Sequence, residues 1–375
     1  MKYRTVTRLA VTLSIALFCI GAGFYGLTQL SREGDDRMTD LSAFIPEDCA
    51  GVIEADNIDR FMNEYPTTAY APQLDTLHKR GLVEMLWIGL ERYGEETAHA
   101  LSTQISHVMV SIHTPGSARD LVAFFAMGRE GRKLFLQTIR KMHPAFGVRK
   151  ESYRGREIEV FPLEGGDYIA ACEGKGFLAL SFQKRLIEKV IDAQKDGTSL
   201  KNDKWFANIH KEKKNPYITF YGRTPALPLL MPHGAPCWSS FNLHLNSEVF
   251  YLTGTTSQPD SCNAQMRDRL HALPSINEDS LLIVQGNQAV DSCLNLYARR
   301  PHSLFNECVA NLSPDASFIL VADMDKVTRH RNELLPFLPP FIRRAPELFR
   351  PFILSMQLTE PEGHLSHILI LTYKE

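Results

Sequence analysis

The chain has 375 residues, 44% of them hydrophobic and 22% charged, with a formal net charge of −2. This composition is globular and the length suits about two domains, which excludes a disordered or collagen-like chain. No basic excess marks nucleic acid as a partner.

Residues 9–30 carry no charged side chain over 22 positions. As a helix rising about 1.5 Å per residue, this segment spans a hydrocarbon core of about 30 Å. Lys2, Arg4 and Arg8 precede it, whereas Arg32 and Arg37 follow it among Glu33, Asp35 and Asp36. The positive-inside rule therefore predicts a single-pass anchor with a cytoplasmic N-terminus and an extracytoplasmic, periplasmic remainder. A cleaved signal peptide is the competing reading, with Gly21-Ala22-Gly23 near a cut. Signal h-regions run only about 7–15 residues, so we favour the uncleaved anchor. A lipoprotein would centre on Cys19, but bulky Phe18 stands where a small residue belongs. The run Gly21-Ala22-Gly23-Phe24-Tyr25-Gly26 spells G-x-G-x-x-G, yet it lacks the preceding strand and following soluble helix of a dinucleotide site.

After a polar linker at 31–43, the stretch Gly51-Val52-Ile53-Glu54-Ala55-Asp56 reads as a buried strand handing over to a helix N-cap. Val108-Met109-Val110-Ser111-Ile112, a turn at Pro115-Gly116, and Leu121-Val122-Ala123-Phe124-Phe125 read as a β-hairpin. A helix is expected over 134–142, then strands at 157–161, 168–172 and 177–182. Leu186, Ile187, Val190 and Ile191 recur at helical spacing, with Lys184, Glu188, Lys189 and Asp192 on the other side. The polar stretch before Pro216 marks a domain boundary. Further strands are expected at 217–221, 241–245 and 249–253. Phe318-Ile319-Leu320-Val321-Ala322-Asp323 repeats the first strand's pattern, and a hairpin follows over 353–371, turning at Pro361-Glu362-Gly363. These signals predict an α+β chain: an N-terminal transmembrane helix, then a duplicated strand-helix-hairpin ectodomain with mainly antiparallel sheets. Its domains would be 44–210 and 216–375.

The order of signals resembles a bacterial domain-of-unknown-function family of membrane-anchored extracytoplasmic proteins. The residues that carry the resemblance are Ile45-Pro46, Trp87-Ile88-Gly89, Tyr153-Arg154-Gly155-Arg156-Glu157-Ile158, Ser199-Leu200 and Trp205-Phe206. They cover roughly residues 44–210, and the resemblance implies a location and a fold but no chemistry.

Cys49, Cys172, Cys237, Cys262, Cys293 and Cys308 make an even number in the expected oxidising compartment, and sequence leaves their pairing open. The alternative for several is a small buried hydrophobe, Cys172 on its alternating strand among them. No G-x-S-x-G elbow, P-loop, H-E-x-x-H, EF-hand ligand series or C-x-x-C occurs. His364 and His367 would point to opposite faces of a strand, and His107 and His113 are too far apart along theirs to hold one ion. We therefore expect no metal and no cofactor. Asp56 and Asp323, at equivalent strand ends, are candidate acid–base carboxylates, with helix capping the favoured role.

Two proline-rich apolar connections remain, 225–232 and 334–342. They either roof a sheet or form a groove for an acyl chain or hydrophobic peptide, lined by Met231, Leu338, Phe341 and Ile342. The sequence thus points first to a non-enzymatic binding or structural module of the cell envelope, with an envelope protein as partner. A lipid or hydrophobic-ligand binder comes second and an envelope hydrolase third.

Overall fold

The computed structural model describes residues 39–55, 64, 67–71, 105–114, 117, 119–142, 147–162, 168–211, 218–224, 237–330, 338, 342, 346–359 and 365–374. Among the described residues the chain is α+β, with fifteen strands, all paired antiparallel where a register is given, and seven α-helices. No helix among them is long and apolar enough to cross a membrane, and the anchor expected at 9–30 lies outside them. Two compact units divide the chain: Met1–Asn63, Gln73–Ala207 and Tyr217–Phe220 form one, and Glu64–Pro72, Asn208–Pro216 and Tyr221–Glu375 the other.

In the first unit β1 (Gly51–Ala55) pairs with β2 (Ile105–Ile112), which forms a hairpin with β3 (Leu121–Met127). Helix α1 (Arg129–Met142) leads to the meander β4 (Arg149–Tyr153), β5 (Arg156–Pro162), β6 (Tyr168–Gly174) and β7 (Phe177–Ser181). That meander runs back so that β7 lies against β3, giving the order β1-β2-β3-β7-β6-β5-β4. Strand β4, sequence Arg-Lys-Glu-Ser-Tyr, pairs only with β5 and is exposed; charge on an outer strand discourages further pairing. The β4–β5 turn needs Arg154 at φ 47° and Gly155 at φ 75°, the two left-handed residues of a type I′ hairpin.

Helix α2 (Lys184–Asp196) buries Leu186, Ile187, Val190 and Ile191, the stripe its spacing predicts, and ends on left-handed Gly197. Each of those side chains contributes about 2 kcal/mol of burial. Helix α3 (Lys204–Lys211) follows, its first turn held by Asp203 Oδ1, which accepts from the amides of Trp205 and Phe206 at 2.9 and 3.2 Å. The division between the units falls within α3 and within β8 (Ile218–Gly222).

The second unit holds the hairpin β9 (Trp238–Leu245) and β10 (Val249–Ser257), then α4 (Asp260–His271). Strands β11 (Ile276–Glu278) and β12 (Leu281–Gln285) precede helices α5 (Asn287–Tyr297) and α6 (Leu304–Ala310). Strand β13 (Phe318–Asp323), helix α7 (Met324–His330) and the hairpin β14 (Phe352–Thr359) and β15 (Leu365–Tyr373) complete it, in the order β11-β12-β13-β14-β15-β10-β9. Helices α5, α6 and α7 pack on β12, β13 and β14, and the first seven residues of β14 are buried, as a strand covered on both faces requires. By contrast β15 alternates buried and half-buried residues, so one of its faces is partly open.

Candidate functional site

A polar cluster in the first unit lies where β2 enters its hairpin. Two-residue periodicity puts Ser111 and His113 on one face, and Ser111 Oγ shares a 3.0 Å hydrogen bond with His113 Nε2. The backbone brings a third member: Ala50 N donates to Ile112 O at 2.7 Å, which places Asp48 Oδ1 3.6 Å from His113 Nδ1. Helix α2 supplies cations one turn apart: Arg185 pairs with Asp120 at 2.9 Å, and Lys189 pairs with Asp48. Burial pushes His113 below its ordinary pKa, Lys189 and Arg185 push the same way, and Asp48 and Asp120 oppose them. Burial raises the Asp120 carboxyl, but hydrogen bonds from Arg185, Ser117 and Thr114 outweigh it and hold the group low.

This is a serine, an imidazole and a carboxylate in the order of a hydrolytic triad. Two features separate it from a working one. Ser111 lies mid-sheet between Val52 of β1 and Val122 of β3 and is 0% exposed, so no acyl carbon reaches its hydroxyl. The His113–Asp48 separation also exceeds a hydrogen bond, and His113 Nδ1 has no hydrogen-bond partner among the described residues. The cluster therefore ties α2 to the β2–β3 hairpin rather than presenting a nucleophile. Sequence singled out His113 only as a poor metal ligand. The i, i+2 spacing would have found Ser111, but Asp48 is distant in sequence and joins only through the β1–β2 pairing. His107 on β2 pairs with the buried carboxylate of Glu54 on β1 at 3.0 Å.

The other sequence candidates are scattered. Asp323 caps α7, accepting from Asp325 N at 3.1 Å, and pairs with Lys374 at 2.6 Å. Asp56, Met231, Phe341 and His364 lie outside the described residues. Leu338 and Ile342 are buried in the second unit. Among the described residues no cluster of three or more His, Cys, Asp or Glu side chains suits a metal ion. All six described cysteines are free.

The His367 ring of β15 is buried against that of Phe241, centroids 4.7 Å apart. Its Nε2 lies 2.9 Å from Ser240 O, reached across Gly254 of β10, where a Cβ would stand 1.8 Å from that oxygen. Glycine is thus required at 254 by close approach. On the opposite, half-buried face of β9, β10 and β15 lie Asn242, His244, Tyr251, Thr253, Ile368 and Ile370. There the His244 ring stacks on Tyr251 at 4.6 Å and its Nε2 meets Thr253 Oγ1 at 2.9 Å. Burial lowers the His244 pKa, so this face presents a neutral imidazole at pH 7.

Three of the motifs that carry the family resemblance make tertiary contacts in the first unit, and Trp87-Ile88-Gly89 lies outside the described residues. Leu200 N donates to Ile45 O at 2.8 Å, and Pro46 forms an isolated bridge with Ser199. From the β4–β5 turn, Tyr153 OH donates to Asp192 at 3.0 Å, while Arg154 spans Asp192 and Asp196 at 2.7 Å each. These residues fasten the chain preceding β1 and the end of α2, a structural role. No known protein family, no curated protein and no solved structure matches the chain.

Proposed function

We propose that this chain is a single-pass, membrane-anchored extracytoplasmic binding or structural module of the bacterial cell envelope, with no catalytic activity. The observation that carries the reading is the sealing of Ser111: the triad-like arrangement of Ser111, His113 and Asp48 has its nucleophile at 0% exposure. The uncharged run at 9–30 supports the anchor. The consecutive antiparallel orders β1-β2-β3 and β13-β14-β15 support a duplicated strand-helix-hairpin plan. The meeting of Ile45-Pro46 with Ser199-Leu200 is consistent with membership of the envelope family that the sequence resembles.

For the binding role, the half-buried face of β9, β10 and β15 mixes an aromatic phenol, an imidazole, an amide, a hydroxyl and Ile368, while Ile370 beside them packs on the core under α5 and α6. That mixture has the chemistry of a protein interface, rich in aromatic side chains with polar tips, rather than of an acyl-chain tunnel. The partner is accordingly an envelope protein rather than a lipid. Photo-crosslinking in living cells, with a benzophenone amino acid in place of Tyr251, should give one discrete protein adduct absent when the probe sits at exposed Glu157. Equal adduct patterns at the two positions, or adducts to lipid alone, would overturn the reading. A hydrolase stands second because of the 3.0 Å Ser111–His113 contact; labelling of Ser111 by a fluorophosphonate in native membranes would revive it.

A further inference from the structure

We infer that Cys237 and Cys262 are the two halves of a disulfide that staples the start of β9 to the first turn of α4. In this structure both are thiols. The β9–β10 register pairs Trp238 with Ser257 and Ser239 with Thr256, so one step further Cys237 stands opposite Gln258. Cross-strand Cα atoms lie about 4.5–5.5 Å apart. Strand alternation puts Cys237 on the face of Ser239 and Gln258 on that of Thr256, and these two hydroxyls meet at 2.7 Å. Helix α4 looks onto that same face: Gln258 Nε2 donates to Met266 Sδ at 3.6 Å. Cys262, Met266 and Leu270 form the buried i, i+4, i+8 stripe of α4. The turn that begins the helix, with Cys262 N on Pro259 O at 2.8 Å, folds Cys262 back toward Gln258. Both sulfurs are therefore directed at one small region between a strand end and a helix start.

The electrostatics agree. Burial first and the neighbouring Cys262 second push the Cys237 thiol up to about 11, against the opposing effect of Arg223. Each thiol thus lies within range of the other's charge, and a guanidinium that also sits over the Trp238 ring at 5.2 Å is placed to favour the thiolate at Cys237. The thiols of Cys172, Cys293 and Cys308 respond instead to burial and to arginine, glutamate or hydroxyl neighbours.

The chemistry balances with any small disulfide oxidant. Cys262, 9% exposed against 3% for Cys237, gives up its proton and attacks glutathione disulfide, releasing one glutathione thiolate and forming a mixed disulfide. Cys237 then loses its proton and displaces the second glutathione from the Cys262 sulfur. Two protein thiols are oxidised, and one glutathione disulfide is reduced to two glutathione thiols.

The test uses the full-length protein in detergent, exposed to glutathione disulfide, alkylated, digested without reduction and mapped by mass spectrometry. The inference requires a cross-linked peptide joining residues 237 and 262, lighter than its separate parts by two hydrogens. In the Cys237→Ala protein, Cys262 should retain glutathione; in Cys262→Ala, Cys237 should be found alkylated. Reducing the linked wild-type protein should lower its urea midpoint, a change absent from Cys262→Ala, and this readout holds even if one variant folds poorly. Full alkylation of both cysteines after oxidation of the folded protein, or a link from Cys262 to Cys293 or Cys308, would overturn it. The outcome is independent of the compartment in which the chain resides.

Discussion

Acid should destabilise the second unit through His367, and the size of the effect follows from its surroundings. The ring is buried among Phe241, Gly254 and the Ser240 carbonyl, to which its Nε2–H donates. Burial drives the pKa from its ordinary 6.5 to about 4, the Ser240 bond only partly resisting. The folded protein therefore refuses a proton that the unfolded chain accepts below pH 6.5. Stability is at its full value above that pH and is lost progressively as the pH falls toward 4. Each tenfold change in proton affinity is worth about 1.4 kcal/mol, so the loss on reaching pH 4 amounts to about 3 kcal/mol. His113 and His244 are also held low by burial and add losses of the same sign, as do carboxylates common to any variant. A His367→Gln protein isolates the contribution of this ring, because glutamine keeps an N–H donor for Ser240 but does not titrate. Urea unfolding followed by tryptophan fluorescence at about pH 7.5 and pH 4 should show the wild type losing about 3 kcal/mol more than the variant. Parallel losses in the two proteins would refute the assignment of a neutral, buried His367.

Three further expectations concern single side chains. Gly254→Ala should cost about 3 kcal/mol or more in urea unfolding, since its Cβ would overlap the Ser240 carbonyl and crowd His367; a cost below about 1 kcal/mol would mean the strands part easily there. Asp323→Ala should cost about 1 kcal/mol of stability through the lost cap of α7, and Asp323→Asn should recover most of it, as asparagine caps equally well. Ser111→Ala should lower stability by about 1–3 kcal/mol by leaving the buried His113 ring unsatisfied, while fluorophosphonate labelling of native membranes should be the same with and without the serine. Serine-dependent labelling would count for a hydrolase.

The sequence shows its strands best where apolar residues either alternate or run unbroken. The β2–β3 hairpin, β13 and the β14–β15 hairpin are legible for that reason, as is α2 from its Leu186, Ile187, Val190 and Ile191 stripe. Strand β4 is invisible because Arg-Lys-Glu-Ser-Tyr buries almost nothing; it exists by pairing with β5 and by the left-handed turn at Arg154-Gly155. Helix α4 is hidden because its apolar stripe is only Cys262, Met266 and Leu270 in an otherwise polar run. The apolar residues Leu338 and Ile342 look like groove lining in a proline-rich segment, yet hydrophobicity is the same signal whether a side chain roofs a sheet or faces a ligand. The Ser111–His113–Asp48 cluster depends on a β1–β2 pairing that joins segments far apart in the chain, which local periodicity does not encode.

Native mass spectrometry of the full-length protein, gently extracted from its own membrane and activated until bound species leave, tests the proposed binding role most directly. A protein companion leaving in fixed stoichiometry, and lost when Tyr251 and His244 are both replaced by Ala, is the predicted result. A bare monomer, or a discrete mass in the lipid range that survives those replacements, would contradict it.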